Sequence, residues 1–328
     1  MLNSTIKFNL WESWVWGDTY FFSPHQDFNQ VTTLTYFLQM EMEISKEQYV
    51  EICSKIKSKG AMFGLELAPF KIKWYNDAIE DKKFSLQGNA DALGFIVIST
   101  PSMFEKTFLP YIQQEVKEQK ENDIKDPLDR CMRETFFHLS KPFQTDYNIV
   151  HIHDYEISPI TKRPAVLVQT AGHVAGAVRL YQESDILRDT NFNTMKENLS
   201  SDKMYNTLES KVFPVCLHPK YGGWFALRGV LVFQNVLVSD LYMKQTNPPE
   251  ILKSQDEIAT LLRLYNNQWK DWKYRDVGMP KDIERYSALQ KEYFETLPSE
   301  RHHLIRKILS TDLQQVYSKK CNNAPKLD

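Results

Sequence analysis

At 328 residues and 38.6 kDa the chain is long enough to bury a full core, and 42% hydrophobic with 25% charged residues is the balance of a folded globular protein. A net charge of -2 offers no positive field for a nucleic-acid backbone or an anionic membrane, so neither partner is expected. The four cysteines, Cys53, Cys131, Cys216 and Cys321, stand far apart with no CxxC pair, which argues against a zinc site or redox dithiol and for a reducing compartment.

Residues 1–40 are crowded with aromatics (Trp11, Trp14, Trp16, Tyr20, Phe21, Phe22) and hold a single lysine, Lys7, against Glu12, Asp18 and Asp27. That is neither a basic leader nor an Arg-rich transit segment. No apolar run approaches the roughly 18 residues that would cross a bilayer. We read 1–40 as an N-terminal extension, 41–310 as a single domain and 311–328 as a polar tail.

Periodicity predicts a helix over 43–59, with Ile44, Tyr49, Ile52 and Ile56 near one face. Leu93–Ile98 is a short β-branched run ended by Pro101 and predicts a buried strand. Residues 102–120 turn helical, and the charge run Lys117–Asp126 predicts a solvated helix end and loop. Ile149–Ile157 alternates as a strand, with His151, His153 and Asp154 on a solvent-facing edge rather than in a metal cluster. Residues 186–211 are polar and aperiodic, as an inserted loop would be. Val212–Leu217 and Trp224–Phe233 predict two strands joined through the Gly222-Gly223 turn.

Ser254 and Glu257 form a capping-box signature ahead of Ile258, Leu261, Leu262, Tyr265, Trp269 and Trp272. Pro280 predicts the start of another helix with Ile283, Tyr286, Leu289 and Tyr293 inward, and Ser299 caps a last one. The frame is thus α/β in the α+β sense, a mostly antiparallel sheet flanked by helices.

Motifs for nucleotides, serine hydrolases and zinc proteases (GxGxxG, GxxxxGK[ST], GxSxG, HExxH) do not occur. The run Gln169-Thr-Ala-Gly-His173-Val-Ala-Gly176-Ala177 is instead a helix of small residues that a backbone or a large flat ligand could approach closely. On composition alone, tight packing against the sheet with His173 a satisfied core histidine is the preferred reading.

Further words, taken in order, carry a resemblance. They are Phe63-Gly64, Pro69-Phe70, Trp74-Tyr75-Asn76, Ser99-Thr100-Pro101 and Met103-Phe104. Asp154-Tyr155-Glu156, the 169–177 run, His218-Pro219 and Gly222-Gly223-Trp224-Phe225-Ala226 follow, then Arg228-Gly229-Val230, Trp269, Asp271-Trp272 and Tyr274-Arg275-Asp276. Over about residues 43–309 the chain resembles the cobalamin C type processing proteins, those defective in methylmalonic aciduria with homocystinuria.

The resemblance implies a flavin-reductase-like fold related to nitroreductases, and a cytoplasmic enzyme that is also a carrier. It would bind cobalamin base-off, decyanate cyanocobalamin with FAD or FMN, and dealkylate alkylcobalamins with glutathione, with NADPH as the indirect electron source. A cobalamin D type trafficking protein is the implied partner, and the chain would be a monomer or a ligand-induced homodimer. Carried over by position, the corrinoid would meet Asp154, Val166, Leu167, Val168, Gln169, Leu180, Tyr181, Gln182, Cys216 and Leu227.

Arg228, Arg275 and Arg301 would hold glutathione, whose carboxylates suit planar guanidinium forks; for Arg301 a solvated helix arginine is the alternative. This chain has Arg179-Leu180-Tyr181 where the family has three tyrosines. His173 lacks the preceding Asp of DxHxxG corrinoid motifs, since Ala171 stands there, so no protein ligand to cobalt is expected. A non-catalytic cobalamin chaperone, or a flavin reductase with another substrate, are the competing readings.

Overall fold

The computed structural model describes residues 41–117, 127–186 and 212–310; the N-terminal extension, most of the charge run, nearly all of the 186–211 loop and the tail lie outside them. Ser45 caps the first helix, α1 (Lys46–Met62), in a full capping box with Gln48, and Ile52 and Ile56 turn inward. Ile44, expected on that helix, precedes it and follows the two-residue strand β1 (Met42–Glu43). The strand β2 (Leu65–Lys71) leads into a short helix, α2 (Ile72–Ala78).

β3 (Ala92–Ser99) is buried at all eight positions. A continuous apolar run with few polar interruptions is what a strand covered on both faces requires. A π-turn at Phe104–Phe108 then opens α3 (Leu109–Lys117), and α4 (Pro127–Ser140) brings the chain to β4 (Ile149–His153). β4 ends four residues before the expected Ile157, because the chain turns at Asp154 and Tyr155 and the Glu156 amide donates back to the His153 carbonyl at 3.1 Å.

α5 (Val168–Val174), β5 (Arg179–Tyr181), β6 (Val215–Leu217) and β7 (Ala226–Leu237) follow. The predicted 212–233 pair is not a hairpin: β6 pairs with β5 in a two-stranded sheet, whereas β7 is the central strand of the five-stranded one. β7 runs antiparallel to β3 and β4 and parallel to β1, and β2 lies outside β3. The sheet is therefore mostly antiparallel, as expected.

The remaining chain is α6 (Gln255–Gln268), α7 (Ala288–Glu295) and a last helical stretch over 301–310. The Ser254–Glu257 capping box forms as read, but the helix stops at Gln268 and Trp272 adopts φ 61, so Trp269 and Trp272 are not on its face. No helix starts at Pro280; the true cap is Ser287, whose hydroxyl accepts the Gln290 amide. Ser299 lies in a 3-10 turn before the last stretch rather than capping it directly.

Two apolar cores sit on the two faces of the sheet. One holds Phe95, Leu231 and Phe233 with Cys131, Phe136, Phe104 and Tyr293 from the helical side. The other holds Ile96, Val230 and Val232 with Tyr75, Leu167, Ala171 and Leu227. A third, under α6, surrounds Tyr181 and Leu217.

Candidate functional site

Most residues carried over as corrinoid contacts gather on the second of these faces. Val166, Leu167, Cys216 and Leu227 are buried in that core, with Val168 and Leu180 packed at its edge. Several devices assemble it. The Tyr75 hydroxyl accepts the Leu167 amide at 2.8 Å and sets the start of α5. β5–β6 pairing puts Leu180 opposite Cys216. The small-residue helix packs as tightly as its composition predicts, since a Cβ on Gly172 would stand 2.7 Å from Val178 Cγ2 and 3.3 Å from Leu227 Cδ2.

The rest of that set lies around it. Gln169 is half-buried, its side-chain amide donating to the Pro214 carbonyl at 3.4 Å, and Gln182 is exposed. Asp154 is half-buried in the turn after β4, its amide donating to the Arg228 carbonyl at 3.3 Å. Tyr181 is brought elsewhere: its ring is fully buried in the core under α6 and its hydroxyl accepts the amides of Ile251 and Leu252 at 3.2 and 2.9 Å. It has no ring face left to offer a ligand.

The three arginines converge on one aromatic array on the helical side. Trp224 stacks on Trp272 at 5.8 Å, both meet Tyr286 edge-on, Tyr286 touches Phe294, and Phe294 touches Tyr293. Arg275 lies over Trp224, Trp272, Tyr274 and Tyr286, and its Nη1 donates to the Gly223 carbonyl. Gly223 is required there, because a Cβ would come within 2.7 Å of Arg275 Cα.

Arg301 is 2% exposed, which corrects the solvated-helix alternative. It lies over the Tyr293 ring, and its Nε donates to the Tyr293 and Thr296 carbonyls at 3.0 Å each. Arg228 is half-buried, donates from Nε to Ser99 Oγ at 3.1 Å, and is close enough to Tyr293 and Cys131 to act on the ionisation of both.

Arg228 owes its direction to a β-bulge. Along β7, Gly229 pairs with Val97 and Leu227 with Ile98, so Arg228 is the extra residue between them. Gly229 takes φ +130, and a Cβ there would lie 2.2 Å from the Ile152 carbonyl oxygen. A bulge of this kind re-aims one side chain. Leu227 accordingly enters one core while Arg228 faces Cys131 and Tyr293 of the other. Sequence reasoning missed Tyr293 as a centre of this cluster, the aromatic array around Arg275, and the bulge itself.

His153 also corrects an expectation. It is 3% exposed, not solvent-facing, and lies against Phe136 at 4.3 Å and Tyr155 at 5.2 Å. Burial brings its pKa down to about 4, helped by the neighbouring His151 and Arg133, so it is neutral at physiological pH. Cys131 is pushed up to about 12, again by burial, and stays a thiol. His173 is half-buried with its pKa lowered mainly by burial, and its Nδ1 accepts the Leu180 amide at 3.4 Å.

Among the described residues no group of three or more His, Cys, Asp or Glu is arranged to hold a metal, and no helix is long and apolar enough to cross a membrane. A surface cavity of about 580 Å³ between α1 and α4, lined by Lys55, Lys59, Met62, Phe63 and His138, contains none of the site residues.

Comparison with known proteins adds to this geometry. The model of the methylmalonic aciduria and homocystinuria type C family matches residues 64–305. A Gallus gallus protein named cyanocobalamin reductase / alkylcobalamin dealkylase is 41% identical over 244 residues, 74% of this chain and 90% of its own length. The Homo sapiens protein of the same name is 35% identical over 257 residues, 78% of this chain and 81% of its own. Among solved structures, a Caenorhabditis elegans B12-trafficking protein CblC superposes with a TM-score of 0.68 at 29% identity, covering 80% of this chain and 97% of that one.

Proposed function

This chain belongs to the methylmalonic aciduria and homocystinuria type C family, and from that premise we propose that it removes the upper axial ligand of cobalamins by reductive decyanation and by glutathione-dependent dealkylation. The observation that carries the reading is the pairing of two surfaces at the start of β7. Leu227 belongs to the apolar group of Val166, Leu167, Leu180 and Cys216, while Arg228 turns toward Tyr293, which Arg301 also contacts. An apolar wall suits the faces of a corrin, and its amide substituents would meet the Gln169 and Gln182 side chains and backbone groups at the rim.

Arg228, Arg275 and Arg301 would position glutathione through its two carboxylates, placing the thiolate above the bound cobalamin. The thiolate attacks the alkyl carbon, the new S–C bond forms as the Co–C bond breaks, and both electrons of that bond stay with cobalt, which leaves as cob(I)alamin. Aromatic walls around Arg275 exclude water and strengthen each charge–charge contact made there.

Decyanation needs electrons, which a bound flavin would supply, with NADPH behind it. The chain's own part in that reaction is to hold the corrin with its benzimidazole tail displaced. A flavin-reductase-like fold related to nitroreductases, a cytoplasmic location, a cobalamin D type partner and a ligand-induced homodimer belong to the same proposal.

The test is the visible spectrum of the purified protein with methylcobalamin, before and after anaerobic addition of glutathione. A base-off shift followed by conversion to cob(I)alamin or its oxidised products is expected. A shift without conversion would make the chain a carrier only, and no shift at all would sink the proposal.

A further inference from the structure

His218, the residue after β6, is 2% exposed. Its Nδ1 accepts the Lys220 amide at 3.1 Å, which leaves Nε2 as the protonated ring nitrogen. Nε2 lies 3.3 Å from Glu66 Oε1 on β2, at ion-pair distance but without the alignment of a hydrogen bond, and this contact is the first of the influences that hold the Glu66 carboxyl below the usual carboxylate range. Because β6 pairs only with β5 among the described residues, this contact ties the two-stranded sheet to the five-stranded one. The imidazole is further fixed between Tyr221 at 4.7 Å and Phe225 at 5.7 Å.

What the tie organises is the seat of Arg275. The His218 backbone exchanges two hydrogen bonds with Gly222, at 2.7 and 2.9 Å. The next residue, Gly223, donates its amide to the Arg275 carbonyl at 2.8 Å and accepts from Arg275 Nη1, which also lies 3.5 Å from the Phe225 carbonyl. Both carbonyls that orient the guanidinium therefore stand on the turn that His218 closes.

We infer that His218 and Glu66 are positioning residues for Arg275: the buried Nε2–H to carboxylate contact fixes the 218–225 turn, and the turn aims the guanidinium. The inference rests on the reading of Arg275 as a glutathione-holding residue.

The test uses the full chain in glutathione-dependent methylcobalamin dealkylation, with kcat and the glutathione KM measured beside cobalamin affinity. Glu66 is 42% exposed, so its replacement leaves no buried hole. Glu66→Ala should raise the glutathione KM about fivefold, with kcat and cobalamin affinity within about twofold. Glu66→Gln, which keeps an acceptor for Nε2–H, should recover most of the loss. In an Arg275→Ala background Glu66→Ala should add nothing, since the coupled pair acts as one unit.

Multiplying effects in the double variant, an unchanged KM in Glu66→Ala, or parallel loss of kcat and cobalamin affinity without rescue by Glu66→Gln would each overturn the inference and leave the role of Arg275 intact. An unchanged glutathione KM in Arg275→Ala alone would be the separate failure of the underlying reading, and would overturn the inference with it.

Discussion

Gly229→Ala tests the bulge directly, and its size can be worked from the backbone. Gly229 has φ +130, a region in which a side chain costs on the order of 1–3 kcal/mol. The added Cβ would also stand 2.2 Å from the Ile152 carbonyl oxygen and 2.8 Å from His153 Cα, both backbone atoms of the paired strand that cannot rotate away. Relieving such overpacking costs a further 1–3 kcal/mol, so the total is about 2–6 kcal/mol. For a domain of this size each kcal/mol lowers Tm by about 2–4 °C.

Gly88→Ala is the matched control, with φ +121 and nothing within 4 Å of its Cβ, so only the conformational part applies. Thermal unfolding of both variants followed by calorimetry or circular dichroism should place Gly229→Ala well below Gly88→Ala. Equal losses would refute the reasoning, because the contact with β4 would then contribute nothing.

Other outcomes follow from the same geometry. Arg228→Gln should reduce glutathione-dependent dealkylation at least tenfold while cobalamin affinity, read from the base-off spectrum, changes less than twofold; equal loss of both would assign Arg228 to the fold or the corrin. Arg301→Ala removes the donor to the Tyr293 and Thr296 carbonyls in a buried site and should cost about 2–4 kcal/mol in urea unfolding, and a change under 0.5 kcal/mol would contradict that anchoring.

His153, held near pKa 4 by burial, is neutral in the fold and gains a proton more readily when unfolded. Its contribution is complete above about pH 6.5 and declines as pH falls toward 4, by up to about 1.4 kcal/mol per pH unit. His153→Phe should flatten the acid limb of a Tm-versus-pH curve across that window, and an unchanged slope would show that other groups set it.

How much of this was legible depended on whether the signal was local. The Ser254–Glu257 box, the buried run of β3 and the close-packed helix within the 169–177 run, which stops at Val174, declare themselves because each is written in adjacent residues. Pro280 misled because proline merely tolerates a helix start, whereas Ser287 supplies a bond to Gln290 that demands one. The alternation through Ile157 continued past the end of β4, since a period of two persists in a turn that the chain makes for other reasons.

Position in the chain alone sets Tyr181 against the ligand, and only the three-dimensional neighbours Ile251 and Leu252 reveal its inward turn. The convergence of Arg228 and Arg301 on Tyr293 spans residues far apart in sequence, and no pattern along the chain encodes it. Gly229 was the one available hint of the bulge, a glycine inside an otherwise apolar strand.

The single extra residue in β7 acts as a frameshift written in space. Residues 230–233 alternate regularly between the two cores, and carrying that alternation back unbroken would send Leu227 among the helices and Arg228 into the apolar wall. Deleting one residue at 228–229 would remove the extra residue and leave Leu227 opposite Ile98 on its own face, whereas straightening the strand with both residues kept would send every upstream side chain to the other face, and the two halves of the pocket would trade chemistries with the composition of the strand unchanged.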